Sequence, residues 1–192
     1  MWFSFVTRWA MTRQLAKRRD TRFRSFEETE RVVLLVQDKD LSSILPAIQE
    51  LAGGGIKVTL VVEAKHKNSV PATVQGCYPI LVLRTYWLLN RPTKEFLQSF
   101  DHYDGDVLLD VSTAGSLALA YLAVHSKALF KIGLPKSEKN PFQLQILMPG
   151  SASDKEEAGA ANSASKPALN AGELLHNALF YWKKIGVKEN NL

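Results

Sequence analysis

The chain has 192 residues, 46% of them hydrophobic, which suits one globular domain with appendages and excludes an intrinsically disordered chain. Its single cysteine, Cys77, excludes an internal disulfide framework. No apolar run approaches the roughly 20 residues of a membrane-spanning helix, and the amino terminus does not follow the signal-peptide pattern. We therefore expect a cytoplasmic protein.

The net charge of +5 is unevenly distributed. Residues 1–24 contain seven basic residues and one acidic residue, whereas residues 25–192 contain 17 basic and 18 acidic residues. The body of the protein is therefore close to neutral, and the positive charge belongs to an amino-terminal arm, residues 1–25. Aromatic residues also concentrate at the start of this arm, which is predicted to be helical.

Residues 26–150 alternate between strand-like and helix-like patterns. Apolar runs of strand length, typical of strands buried on both faces, are 31–38, 56–64, 78–85, 106–112, 128–134 and 143–149. Helical patterns occupy 40–53, 91–100 and 113–126, the last apolar on nearly every side and therefore predicted to be buried. Asp40 is a candidate N-cap, and Pro46 predicts a late start or a kink in the first of these helices.

The carboxyl-terminal part changes composition. Residues 151–170 are rich in Ala, Ser and Gly without periodicity, which predicts a flexible surface loop. Residues 171–192 contain an amphipathic helix that should pack on the core. Its apolar stripe is Ala171, Leu174, Leu175, Ala178, Leu179, Trp182 and Ile185. Together these patterns predict an α/β fold, a single Rossmann-like three-layer domain with a mostly parallel sheet.

The basic arm is the most specific functional signal. Six of its seven basic residues are Arg, which binds phosphate in a bidentate manner and stacks on bases. We expect it to dock on a polyanion, with nucleic acid or a ribonucleoprotein favoured over an anionic membrane surface. The alternative is that the aromatic residues pack on the sheet while the arginines are solvated. The predicted polyanion-binding residues are Trp2, Arg8, Trp9, Arg13, Lys17, Arg18, Arg19, Arg22 and Arg24.

A second hypothesis places a small ligand at the carboxyl ends of the strands, where open parallel sheets bind ligands. The segment 110–116 has the order strand, polar loop, helix, so its amides and hydroxyls could hold a phosphate or carboxylate. The alternative is that Ser112 or Thr113 simply caps the helix. The candidate residues are Arg84, Asp110, Ser112, Thr113, Gly115 and Ser116.

Other patterns are interpreted structurally. Gly53–Gly55 closes a helix and precedes a strand, the reverse of a phosphate-binding loop, so we expect a helix stop and turn. The three carboxylates of residues 101–106 lie at the amino end of a strand, and Asp104–Gly105 is an ordinary turn signal. We expect no metal, no cofactor and no catalytic residue, and hence a non-enzymatic protein.

Residues 103–135 resemble a family of small, functionally uncharacterised bacterial proteins found chiefly in the Bacteroidetes. The shared pattern is a strand ending in an acidic residue, an apolar helix and Ser-x-Ala-x-Phe-Lys-x-Gly, here Ser126 to Gly133. Members also share a basic N-terminal helix and a C-terminal amphipathic helix, and the loop 151–170 looks like an insertion. A weaker resemblance is to the N-terminal half of heptosyltransferase-like glycosyltransferases. It would imply an isolated half-domain that binds a nucleotide or another anionic small molecule.

Overall fold

The computed structural model describes residues 2–16, 20–64, 74, 76–84, 91–113, 115–135, 140–146 and 170–186, with backbone only for Trp2–Val6 and Arg84. The helices are α1 (Trp2–Leu15), α2 (Leu41–Gly53), α3 (Lys94–Tyr103), α4 (Leu117–His125) and α5 (Ala171–Gly186). The strands are β1 (Arg31–Gln37), β2 (Lys57–Ala64), β3 (Ile80–Arg84), β4 (Val107–Asp110), β5 (Phe130–Gly133) and β6 (Leu144–Gln145).

The strands form one sheet in the order β3-β2-β1-β4-β5-β6, and every pairing is parallel. Strands β2 and β3 are added on one side of β1, and β4 to β6 on the other. The switch point therefore lies between β1 and β4, where Leu35 pairs with Asp110. This is the doubly wound order of Rossmann-like domains. The predicted fold class, a single α/β Rossmann-like domain with a parallel sheet, is confirmed.

Two hydrophobic cores lie on opposite faces of the sheet. Side chains alternate along each strand, so Leu34 and Val36 of β1 face α2 and α5, whereas Val33 and Leu35 face α3 and α4. All four are buried. The continuous apolar runs in the sequence are thus explained by helices on both faces, the arrangement that three-layer α/β domains require.

Helix α2 tests the prediction made from Pro46. The helix begins at Leu41, directly after a short 3-10 turn at Asp38–Asp40, and continues through Pro46. The expectation of a late start was therefore wrong. Asp40 occupies the N-cap position, but its side chain makes no capping hydrogen bond. Gly53 ends the helix and Gly55 has a φ of 84°, so the triple glycine forms the predicted helix stop and turn.

Helix α4 is buried on several sides, as its apolar sequence predicts, with Leu119, Tyr121 and Leu122 fully enclosed. It packs on the sheet with one side, and α1 covers another. The stripe on α5 is also confirmed from Ala171 to Trp182, all buried. Ile185 is the exception. It was predicted to be part of the stripe, but it is 54% exposed in the last turn of α5. The predicted loop at 151–170 falls outside the described residues except for Asn170.

Candidate functional sites

Helix α1 is anchored to the domain through its inner side. Thr7 is 2% exposed, and the Gln14 amide donates to the hydroxyl of the buried Tyr121 on α4 at 3.4 Å. Arg91 donates to the same hydroxyl at 3.1 Å, with its guanidinium 5.1 Å from the Tyr121 ring centroid. The first half of the arm is therefore part of the folded domain and not a free tether.

The outer side of α1 carries basic and aromatic side chains. Within residues 7–16, the exposed positions include Arg8, Trp9, Thr12 and Arg13, which share one face of the helix by their spacing. The Arg13 guanidinium lies 5.6 Å from the Trp9 ring centroid, a cation–π geometry, and Trp9 is 57% exposed. We call Arg8, Trp9 and Arg13 the α1 outer face. Three of the predicted residues lie outside the described part of the chain: Lys17, Arg18 and Arg19. The side chain of Trp2 also lies outside it.

The second half of the arm crosses from one face of the sheet to the other. The amide of the exposed Arg22 donates to the Leu129 carbonyl at 3.1 Å, and Phe23 packs edge-to-face on Phe130 at 5.1 Å. Trp182 of α5 then donates its indole N–H to the carbonyl of the half-buried Arg24 at 2.7 Å. Deleting residues 1–24 would therefore remove core contacts.

At the carboxyl end of β4, Asp110 organises the loop that leads to α4. Its Oδ1 atom accepts hydrogen bonds from the Ser112 amide at 3.0 Å and from the Ser112 hydroxyl at 2.5 Å. Both residues are fully buried. The hydroxyl that would contact an anion is thus hydrogen-bonded to a carboxylate, in a turn that orders the chain locally.

Ser116 is the N-cap of α4, since its hydroxyl oxygen accepts from the Leu119 amide at 3.1 Å. The same hydroxyl donates to Glu63, the penultimate residue of β2, at 2.7 Å. The other carboxylate oxygen of Glu63 accepts from the side-chain amide of Gln37, at the end of β1, at 3.1 Å. Glu63 and Gln37 were not among the predicted site residues. Their positions at adjacent strand ends are the signal that could have identified them.

The remaining candidates do not converge on this cluster. Thr113 is half-buried and Gly115 is exposed in the loop before α4. Arg84 ends β3, three strand spacings from β4, so its Cα lies more than about 14 Å from that of Asp110. An incoming phosphate at Ser112 and Ser116 would meet the carboxylates of Asp110 and Glu63. The described contacts therefore favour capping and loop ordering over anion binding.

The carboxylates of residues 101–106 have structural partners. Asp106 accepts from the amides of Glu30 and Arg31 at 3.2 and 3.0 Å, and Asp101 lies 2.9 Å from the His125 ring nitrogen. Within the residues that the structure describes, no group of three or more His, Cys, Asp or Glu side chains is placed to hold a metal ion. Likewise, none of the described helices has the length and apolar character needed to cross a membrane.

The Ser126–Gly133 motif connects α4 to β5. Asp104 accepts from the Ser126 hydroxyl at 2.8 Å, and the Lys131 ammonium donates to the carbonyls of Ala123 and Ser126 at 2.8 and 2.7 Å. Lys131 is only 2% exposed, so its charge is buried against the carboxyl end of α4, where cations are favourable. Gly133 leaves room for Phe142, because an added Cβ would lie 2.8 Å from that ring. The motif is thus explained by folding.

The pKa of Glu95, in the first turn of α3, lies below its ordinary value. The causes, largest first, are a hydrogen bond from its own backbone amide, a hydrogen bond with the Thr93 side chain, desolvation, which acts in the opposite direction, and the charge of Lys94. This is the electrostatics of a helix N-terminus.

Comparison with known proteins gives a family but no activity. Residues 4–156 match a family described as a family of unknown function (DUF6913). No curated protein and no solved structure matches the chain. The match covers about four-fifths of the sequence and includes most of α1, the whole sheet and the Ser126–Gly133 motif. The chain belongs to this family of unknown function.

Proposed function

We propose that the protein docks on a polyanion through the α1 outer face and the basic segment that follows it. Nucleic acid or a ribonucleoprotein is the favoured target. The observation that carries the proposal is that one side of α1 packs on the domain and the other side is exposed and basic. On its inner side Thr7 is buried and Gln14 bonds to Tyr121 of α4, while Arg8, Trp9 and Arg13 point away from the domain and are exposed.

The composition of the outer face favours nucleic acid over a bilayer. A helix that lies in a membrane interface presents a continuous apolar stripe to the lipid. Within residues 7–16, the exposed side of α1 instead combines Trp9 with Arg8, Thr12 and Arg13, and the partly apolar side faces α4. Arginine forms bidentate contacts with phosphate, and an exposed indole stacks on bases. A cytoplasmic location agrees with this proposal and remains a prediction.

The proposal is tested by surface substitution, since deletion of the arm would remove core contacts. We would compare wild type, an Arg8→Gln/Arg13→Gln variant and a Lys39→Gln/Lys57→Gln control, which removes the same charge from exposed positions near β1 and β2. The probe is a fluorescein-labelled single-stranded RNA, followed by anisotropy over a range of salt concentrations.

We expect the arginine variant to bind about tenfold more weakly at low salt, since two exposed ionic contacts of up to ~1 kcal/mol each are lost. Its plot of log K against log salt should be shallower by about 0.7 for each lost phosphate contact. The lysine control should bind like wild type. Equal losses in both variants would mean that only net charge matters, and the proposal for α1 would be rejected.

A ligand at the carboxyl edge is the weaker candidate function, because Ser112 and Ser116 donate to carboxylates. If it were correct, Ser112→Ala with Thr113→Ala would remove the thermal stabilisation that a nucleotide confers on the wild-type protein. We expect no such stabilisation in the wild-type protein.

A further inference from the structure

The last two turns of α5 present an exposed aromatic surface on the other face of the sheet. Phe180 is 47% exposed, Tyr181 52% and Ile185 54%, although the opposite side of the same helix is fully buried. The rings of Phe180 and Tyr181 meet edge-to-face with centroids 5.4 Å apart. Helical spacing places Phe180, Tyr181 and Lys184 side by side, and we call these three residues the α5 aromatic face.

Positive charge accompanies these rings. The Lys184 ammonium lies 4.5 Å from the Phe180 ring centroid. Lys183, in the same turn, is paired with Glu50 of α2 and lies 4.6 Å from the Phe26 ring centroid. The exposed charge of this turn is therefore that of Lys184, next to the two exposed rings. The pattern repeats that of α1, where Arg13 lies over the exposed Trp9.

The basic segment of the arm leads from α1 to this helix. Arg22 is exposed where the segment passes the amino end of β5, and the carbonyl of Arg24 accepts from Trp182 on the buried side of α5. A polyanion held on the α1 outer face could thus follow Arg22 and Arg24 to α5. The exposed carboxylates of Glu27 and Glu28 follow Phe26 and would repel a polyanion. We therefore expect the bound polyanion to leave the segment before these residues.

Resting on the proposed function, we propose that the bound polyanion is a single-stranded nucleic acid and that the α5 aromatic face stacks its bases. Single strands are bound by combining a positively charged track with exposed rings, because unpaired bases offer free π-faces and duplex bases do not.

A second copy of the chain is a poorer occupant of the α5 aromatic face. Three half-exposed side chains provide on the order of 300 Å², well below the ~800 Å² per partner of a stable interface.

The test compares a Phe180→Ser/Tyr181→Ser variant with wild type, both as full-length protein. Tyr103→Ser serves as the matched control, since Tyr103 is an aromatic residue of similar exposure, 41%, at the end of α3. The probes are a fluorescein-labelled single-stranded RNA and the same RNA annealed to its complement. Circular dichroism and light scattering verify the fold and the oligomeric state of each variant.

We expect the α5 variant to lose about tenfold in affinity for the single strand, as for the loss of one stacked base. The salt dependence should stay unchanged, since no charge was removed, and duplex binding and the Tyr103 variant should be unaffected. Wild-type binding by the α5 variant, with weaker binding by Arg8→Gln/Arg13→Gln, would overturn this inference and leave the proposed function intact. Failure of the wild-type protein to bind either RNA would overturn both. A change from dimer to monomer with unaltered RNA binding would assign the face to a second copy.

Discussion

Helices α2 and α5 approach each other closely at Gly172, so this glycine tests how α5 packs on α2. A methyl group added to Gly172 would overlap the carbonyl oxygen of Ser43 in α2 and lie 3.0 Å from its carbonyl carbon. Because these are backbone atoms, they cannot rotate out of the way. The Gly172→Ala substitution must therefore push the two helices apart.

The magnitude follows from two opposing contributions. Overpacking of a close contact costs about 1–3 kcal/mol, with the upper end expected against a backbone atom. Alanine gains roughly 0.5–1 kcal/mol over glycine within a helix. We expect Gly172→Ala to lower the free energy of unfolding by about 2 kcal/mol, which for a protein of this size corresponds to a Tm roughly 4–8 °C lower.

The matched control is Gly53→Ala, at the end of α2, where an added Cβ meets no atom within 4 Å. This variant should be as stable as wild type or more stable by up to about 1 kcal/mol. Denaturant unfolding followed by circular dichroism measures both variants. If Gly172→Ala were as stable as Gly53→Ala, the close packing of α5 on α2 would be refuted.

Two further predictions concern α1 and α3. Tyr121→Phe removes the hydroxyl that accepts from α1 and from Arg91, and it should lower the free energy of unfolding by about 1 kcal/mol in denaturant titrations; an unchanged midpoint would contradict the docking of α1 on α4. The lowered pKa of Glu95 implies a contribution to stability that is present above the ordinary glutamate pKa and is lost as the pH falls through the lowered, folded-state pKa. Thr93→Ala should shift the NMR titration midpoint of Glu95 upward, and an unshifted midpoint would show that the Thr93 hydrogen bond plays no part.

Much of the fold could be predicted from the sequence because short-range patterns dictated it. The run from Arg31 to Gln37 is apolar on both faces, and only a strand between two helical layers buries both. The apolar circumference of α4 likewise required burial on several sides. What covers α4, however, depends on Gln14 meeting Tyr121 across 107 positions of the chain, which no local pattern reveals. The docking of Arg24 against Trp182 is a long-range contact of the same kind.

The candidate site was predictable only in outline. Charge counting identified the basic arm. Which side of α1 is exposed to a ligand, however, is determined by the packing of α1 on α4. At the strand ends, the polar loop at 110–116 was visible in sequence. The roles of its hydroxyls were not, because Ser116 meets Glu63 only through the strand order β2-β1-β4. Phe180 and Tyr181 lie outside the apolar stripe of α5, and only the structure shows that no other described element covers them.

The most direct test of the central claim is recovery of RNA and lipid with the tagged protein from its native cell, at low and high salt. Wild type and Arg8→Gln/Arg13→Gln would be purified in parallel, with Lys39→Gln/Lys57→Gln as control. We predict that wild type and the control recover RNA at low salt, that high salt removes it, and that the arginine variant recovers little. Equal RNA recovery by all three proteins, or anionic lipid in place of RNA, would contradict nucleic-acid docking through the α1 outer face.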